Sequence, residues 1–229
     1  MTLRDAIDRD GFAIIPNVLP SGEVEQILEQ ICASAPRRTR AGVRQALSLR
    51  LGPVSQVAQT PNLIQLAQVV LGPEAFPFRA TLSDKSRKSN WLVVWHQDTA
   101  LPLRERHQVV GWGPWSVKDG VHYGHAPAAA LSQVLALRIH LDRSTTLNGP
   151  LRVLPGTQTL GVLDDDRIHK LSTTINPVEC LVSAGGILAM RPLLIHSSSK
   201  SQTAADRRVL HIEYAASSSI AAPLNLAVT

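Results

Sequence analysis

Around residue 75 the pattern of hydrophobic and polar positions changes character. Before it, apolar residues recur at helical spacing. After it, they alternate or run in short blocks. Residues 11–16, GFAIIP, are an apolar block closed by Pro16 and predict a short strand. Ser21 follows as a helix cap with Glu23 in the first turn. Val24, Ile27, Leu28 and Ile31 then share one face of a helix predicted over 22–34. A break at Pro36 precedes a second helix near 41–50. Pro61 opens a third, with Leu63, Leu66, Ala67 and Val70 on one face and Gly72-Pro73 as its stop.

From residue 76 the texture is that of strands. The run WLVVW at 91–95 is rich in β-formers and ends at His96. Residues 133–141 alternate, with Val134, Ala136, Arg138 and His140 on one face and Leu135, Leu137, Ile139 and Leu141 on the other. Asn148-Gly149-Pro150 marks a turn, and 151–154 is a return strand stopped by Pro155-Gly156. Further strands are predicted at 178–182, 186–190, 193–197 and 207–214. Residues 99–130 show no clear period and read as an irregular, lid-like insertion. Helices first and short strands afterwards predict one α+β domain over 1–229, mainly helical over 1–75 and an antiparallel barrel or sandwich over 76–229.

Composition sharpens this picture. A chain of 229 residues buries roughly 70% of its unfolded surface and needs no staple to fold. Its 44% hydrophobic and 18% charged residues are globular proportions. The two cysteines, Cys32 and Cys180, exclude a disulfide framework or a cysteine-rich zinc module. The longest apolar run, 181–190, is too short to span a bilayer and stops at Arg191. The first residues are charged and carry no secretory core, so a cytoplasmic location is expected. The net charge of +5 gathers in Arg37, Arg38, Arg40, Arg44 and Arg50. No aromatic residues interleave them, which favours a solvated helical face over a nucleic-acid site. The expected partner is a small-molecule substrate, with neither nucleic acid nor membrane. The oligomeric state is not legible.

The chemistry centres on His96-Gln97-Asp98. In extended chain, residues two apart point the same way, so His96 and Asp98 can offer an imidazole nitrogen and a carboxylate oxygen to one ion. The spacing alone is common; its place at the end of an apolar strand gives it weight. His196 ends the run Arg191-Pro192-Leu193-Leu194-Ile195 and is the candidate third ligand. Two histidines and one carboxylate leave three positions of an octahedral ion open, which suits Fe(II) that must take a cosubstrate and O2. Arg207 lies eleven positions after His196, across the polar stretch SSSKSQTAAD, and opens the strand RRVLHIEYA. Its planar fork is the natural clamp for the far end of a dicarboxylate cosubstrate. From the residues alone, a cupin-like metal enzyme without 2-oxoglutarate and a non-catalytic binding barrel also stay open.

These elements together resemble the phytanoyl-CoA dioxygenase family of iron- and 2-oxoglutarate-dependent oxygenases. The matching pieces are Gly11-Phe12 through Pro20, Trp95-His96-Gln97-Asp98, the run NGPLRVLPGT at 148–157, and His196 with Arg207. In order, they cover nearly the whole chain. The resemblance implies a double-stranded β-helix, a jelly-roll or cupin-like barrel, with N-terminal helices packed against it. It implies His96, Asp98 and His196 as Fe(II) ligands and Arg207 as partner of the distal 2-oxoglutarate carboxylate. The activity it implies is oxidative decarboxylation of 2-oxoglutarate with O2, coupled to hydroxylation or related C–H oxidation of a small organic substrate. Asp98 speaks against halogenation, where that ligand position is open to halide. Gln158 departs from the family, where histidine is common, as does Gly185-Gly186, where Gly-Asp is common; neither position is a ligand.

Other positions carry weaker signals. Lys85 and Asn90 precede the metal strand and are candidates for holding the 2-oxoglutarate carboxylate nearest the iron. Trp112 and Trp115, in the lid-like stretch, are candidates for covering substrate. Arg138 and His140 reach substrate or 2-oxoglutarate if their face lines the barrel. Arg208 adjoins Arg207, and a shift of one residue would exchange the two arginines.

Overall fold

The computed structural model describes residues 1–34, 45–47, 49–50, 52–86 and 89–229. The chain opens with a helix that the spacing analysis does not predict, α1 (Leu3–Asp10). Thr2 and Asp5 form a capping box at its start, and Gly11 closes it in the left-handed conformation at φ 83°. Strand β1 (Phe12–Ile15) and helix α2 (Ser21–Ser34) follow as expected. The helix expected near 41–50 is corrected: Gln45–Leu47 is a strand, β2, paired antiparallel with Leu82, Thr81 and Ala80. An open sheet edge offers that segment backbone partners that local propensity does not register. Residues 41–44 and 48 of that expectation, with Arg37, Arg38 and Arg40, lie outside the described residues, while Leu49 and Arg50 form a bend in which Arg50 Nε donates to the Val228 carbonyl at 3.1 Å. Helices α3 (Pro53–Ala58) and α4 (Pro61–Leu71) both carry proline in their first turn.

The strands are β3 (Phe76–Lys85), β4 (Val93–His96), β5 (Ala100–Leu103), β6 (Trp115–Lys118), β7 (Val121–His125), β8 (Val134–His140), β9 (Leu151–Val153), β10 (Val178–Cys180), β11 (Ile187–Met190), β12 (His196–Ser198), β13 (Arg207–Ala215), β14 (Ser219–Ala221) and β15 (Leu224–Asn225). Short helices α5 (Ala128–Leu131) and α6 (Asp165–Thr174) intervene. The strand expected at 193–197 begins instead at His196, because Pro192 and Leu193 form a turn. Helix α6 is unpredicted, although Asp164 caps it by accepting a 2.8 Å bond from Arg167 N–H.

All pairing is antiparallel. One sheet runs β1-β11-β8-β13-β3-β2 and a second runs β10-β9-β12-β4. The alternation in β8 sorts two environments. Leu135, Leu137 and Ile139 join Leu210, Ile212 and Tyr214 of β13 against Ile7, Ile27, Leu63 and Ala67 of the helices. Each such fully buried side chain contributes about 1.5–3 kcal/mol. The opposite face turns Ala136, Leu188 and Met190 toward Leu151, Val153 and Cys180 of the second sheet, forming a second core between the sheets. The register places Lys85 opposite Arg207, Arg138 opposite His211 and Arg79 opposite Glu213. The inner face of the larger sheet is therefore largely polar.

Residues 99–130 are also corrected. They hold a three-stranded sheet, β5-β7-β6, followed by α5, and the irregular part is 104–114. Asp119 (φ 49°) and Gly120 (φ 78°) make the two-residue turn between β6 and β7. Asp-Gly with both residues at positive φ matches the twist of a hairpin, and it was the signal to read here.

Candidate metal centre

His96 ends β4 and His196 begins β12, and the two residues are direct partners across the second sheet. Asp98 lies two residues beyond His96, where its N–H donates to the Pro192 carbonyl at 2.9 Å. The sequence pairing of 96 with 98 and the distant residue 196 thus meet in one place. The nitrogen Nε2 of His96 stands 3.5 Å from Oδ1 of Asp98, and Nε2 of His196 stands 3.5 Å from Oδ2. One ligand atom from each of the three residues lies within 4.8 Å of the other two. Cis ligands of a six-coordinate ion with bonds of about 2.1 Å stand roughly 3 Å apart, so small adjustments close the set around an ion.

Both rings are oriented alike. Nδ1 of His96 bonds the Val94 carbonyl and Nδ1 of His196 bonds the Leu194 carbonyl, each at 2.9 Å. A carbonyl only accepts, so Nδ1 holds the proton and Nε2 keeps its lone pair for a metal. The His196 side chain is fully buried, whereas those of His96 and Asp98 are 30% and 23% exposed. The site has a closed side and an open side. Two neutral imidazoles and one carboxylate, converging with a face left open, fit a ferrous ion that must accept further ligands.

Gln97, between His96 and Asp98, makes buried contacts that sequence reasoning missed. It points the other way and is buried. Its amide donates to the carbonyls of Leu193 (2.8 Å) and Gly161 (2.9 Å), and its oxygen accepts from Leu163 N–H (2.9 Å). Those partners are remote in sequence, so no local pattern announces them.

The same interior holds a group of cations. Arg207 is buried, with Nε donating to the Asn148 carbonyl at 3.2 Å. Arg208 faces the other way in a bidentate pair with Asp142 (2.7 and 2.8 Å). Lys85 is buried opposite Arg207; its ammonium donates to Ser198 Oγ at 2.6 Å and to the Ser199 carbonyl. Gly149 allows this close packing. It sits at φ 67°, and a Cβ there would meet the Ser199 carbonyl oxygen at 2.3 Å. Arg138 donates to Nδ1 of His211 at 2.9 Å, and His140 bonds Ser144 Oγ at 2.9 Å. The face bearing Arg138 and His140 therefore points inward. Burial, then Arg207 and Arg138, lowers Lys85 to about 7. Burial lowers Arg207 to about 10, against the opposing pull of Asp142. Burial and the same two arginines, Arg138 first, lower His140 to about 3, so its imidazole is neutral.

A pH dependence follows. Lys85 binds its proton more weakly in the folded chain than its ordinary 10.5. Below a pH of about 7 both states are protonated, and folding carries the full cost of a buried ammonium. As the pH rises from about 7 toward 10.5, the folded chain has released the proton while the unfolded chain still holds it, so stability climbs. Thermal melts of the metal-free protein across this window should show that rise, and Lys85→Met should flatten it.

The remaining candidates fall elsewhere. Asn90 is exposed and spends both ends of its amide on the Ser201 backbone (2.8 and 2.7 Å). That latch ties the segment before β4 to the loop after β12. Trp112 and Trp115 stack at 6.4 Å between ring centres and pack with Leu101, Leu103 and Leu131. A Cβ on Gly124 would stand 3.1 Å from the Trp115 ring, so that ring lies flat on β7. The pair anchors the three-stranded sheet.

Among the described residues no helix is long and apolar enough to cross a membrane. The sequence profile of the family described as phytanoyl-CoA dioxygenase matches residues 7–209. The L-proline trans-4-hydroxylase of Streptomyces griseoviridis is 25% identical over 242 residues, covering 90% of this chain and 82% of that protein. AviO1 from Streptomyces viridochromogenes Tue57 superposes with a TM-score of 0.63 at 22% identity, covering 93% of both chains. The epimerase SnoN, solved with Fe3+, alpha ketoglutarate and nogalamycin RO, superposes with a TM-score of 0.70 at 19% identity, covering 93% of this chain and 82% of its own. At these identities the two structures establish likeness of fold.

Proposed function

The chain belongs to the phytanoyl-CoA dioxygenase family and is an Fe(II)- and 2-oxoglutarate-dependent dioxygenase, and on that premise we propose that His96, Asp98 and His196 are its iron ligands and Arg207 its 2-oxoglutarate clamp. The convergence of the three ligand atoms, with both Nδ1 groups tied to backbone carbonyls, carries this reading. The two sheets and the core between them further support a double-stranded β-helix, with the triad on the smaller sheet and the cations on the larger.

When bound, the ferrous ion supplies the oxidative decarboxylation of 2-oxoglutarate with O2, giving succinate and CO2, and the coupled C–H oxidation of a small organic substrate. The chain's own residues do the rest. His96, Asp98 and His196 would hold the ion from the side on which they converge. Arg207 offers a planar fork to the distal carboxylate. Lys85 stands beside Arg207 and on Ser198, two residues past His196, which places it between clamp and metal strand. That position favours Lys85 as a second cation for the dicarboxylate, with Arg138 adding to the positive field. The buried leucines and methionine between the sheets keep water from this end of the cavity.

Anaerobic titration of the protein with Fe(II) and 2-oxoglutarate tests the assignment. One iron per chain should bind, and aeration should yield succinate only when both are present. O2 uptake with iron alone, independent of 2-oxoglutarate, would point to a different metal oxygenase.

A further inference from the structure

On β13 the inner-facing residues run Arg207, Val209, His211, Glu213. Six residues of strand separate the first from the last by about 20 Å. The proposed clamp stands at one end. At the other, Glu213 pairs with Arg79 of β3, Oε2 to Nε at 3.2 Å. The Glu213 side chain is 4% exposed and that of Arg79 is 24% exposed, so the guanidinium lies toward solvent and the carboxylate behind it. Arg79 also donates to the Ala100 carbonyl at 3.3 Å and lies 5.6 Å from the centre of the Tyr123 ring. Its charge is favoured first by Glu213, against burial, and also by Asp98. Thr99, next to Asp98, bonds His125 of β7 at 2.7 Å, so the β6–β7 hairpin is tied down beside the metal with Tyr123 against Arg79. The ion pair and the Tyr123 ring therefore lie beside the segment that follows Asp98, where Arg79 bonds Ala100 and Thr99 bonds His125.

We propose that Arg79 and Glu213 form the substrate-anchoring site and that the primary substrate is a small zwitterion of the amino-acid type, its carboxylate on Arg79 and its ammonium on the Glu213 side. This rests on the iron and 2-oxoglutarate reading, because it takes the clamp end of the cavity as filled by the cosubstrate. Charge balance selects the class. The ferrous ion and Arg207 already match Asp98 and the 2-oxoglutarate dianion, so the loaded centre calls for no further cation. Arg79 and Glu213 cancel. A plain anion at Arg79 would face the Glu213 carboxylate with no cation of its own to meet it. A plain cation would leave the guanidinium to compete with it. A zwitterion exchanges into the pair with both charges matched.

The test uses wild-type protein with Fe(II) and 2-oxoglutarate. Three pools are compared at equal concentration: the proteinogenic L-amino acids, their N-acetyl derivatives and their C-terminal amides. Binding is read anaerobically by saturation-transfer NMR and turnover by succinate after aeration. At least one free amino acid should bind and raise succinate formation about tenfold or more over its derivatives. Glu213→Gln should narrow the preference for free over N-acetylated compounds through KM, and Arg79→Gln should narrow that for free over amidated ones. Equal responses to all three pools, or no binding from the free amino acids, overturn the inference while leaving the functional reading intact. Absence of 2-oxoglutarate-dependent succinate under every condition overturns that reading, and this inference with it. The wild-type comparison stands even if a variant fails to fold.

Discussion

Replacing His196 with alanine is expected to lower 2-oxoglutarate turnover by more than about 100-fold, the loss that removing even an outer-shell partner of a metal ligand approaches. His196 is the most constrained member of the triad. Its side chain is fully buried, its Nδ1 is tied to the Leu194 carbonyl and its Nε2 faces Asp98. No solvent group can take its place from the closed side of the site. Alanine there removes a ligand and also leaves a cavity, so lost activity could come from a damaged fold. His96→Ala separates the two effects, because the His96 side chain is 30% exposed and leaves no sealed cavity. Both variants should lose iron stoichiometry and turnover, while only His196→Ala should melt earlier without metal. Stabilisation by added Fe(II), seen as a rise in melting temperature of the wild type, should vanish in both. Unchanged iron binding in either variant would remove that residue from the ligand set.

The triad was legible because each residue sits where a strand starts or stops, and strand ends are marked by pattern. WLVVW runs into His96, and Arg191-Pro192 announces the chain reversal before His196. The choice between Arg207 and Arg208 needed the register. Pairing of Arg207 with Lys85 and of Val209 with His140 turns the odd-numbered positions of β13 inward, leaving Arg208 to Asp142. A single-residue slip would exchange them, and sequence carries that information only through alternation. Leu210, Ile212 and Tyr214 supply the alternation, since they are the positions that meet the helices. Gln97 was invisible for the opposite reason: its partners come from two remote segments, 161–163 and Leu193. Residues 99–130 show how long-range packing hides a sheet. Its strands are short, and their apolar positions face Trp112, Trp115 and α5 instead of following one clean alternation.

Arg207→Ala is expected to raise the KM for 2-oxoglutarate by about 100-fold or more, since truncating one partner of a buried, hydrogen-bonded charge pair costs about 2–5 kcal/mol. Arg207→Lys keeps the charge but loses the fork, and should fall between the variant and the wild type. Arg208→Ala is the control: it breaks the Asp142 pair on the other face and should lower stability without moving this KM. The metal-free protein gives a second readout. Burial holds Arg207 below its ordinary range, and Arg207 in turn presses Lys85 down. Without the cosubstrate, Arg207 is thus a cost to the folded state. Its removal should leave the metal-free protein about as stable as before, and should move the Lys85 titration upward from about 7. A structural arginine behaves in the opposite way, with stability falling and KM holding. Steady-state kinetics at varied 2-oxoglutarate, set beside melts across the same pH range, tell the two apart. The fold keeps Arg207 and Lys85 together although Arg207 disfavours the charge on Lys85, a cost that the proposed dianion would repay on binding.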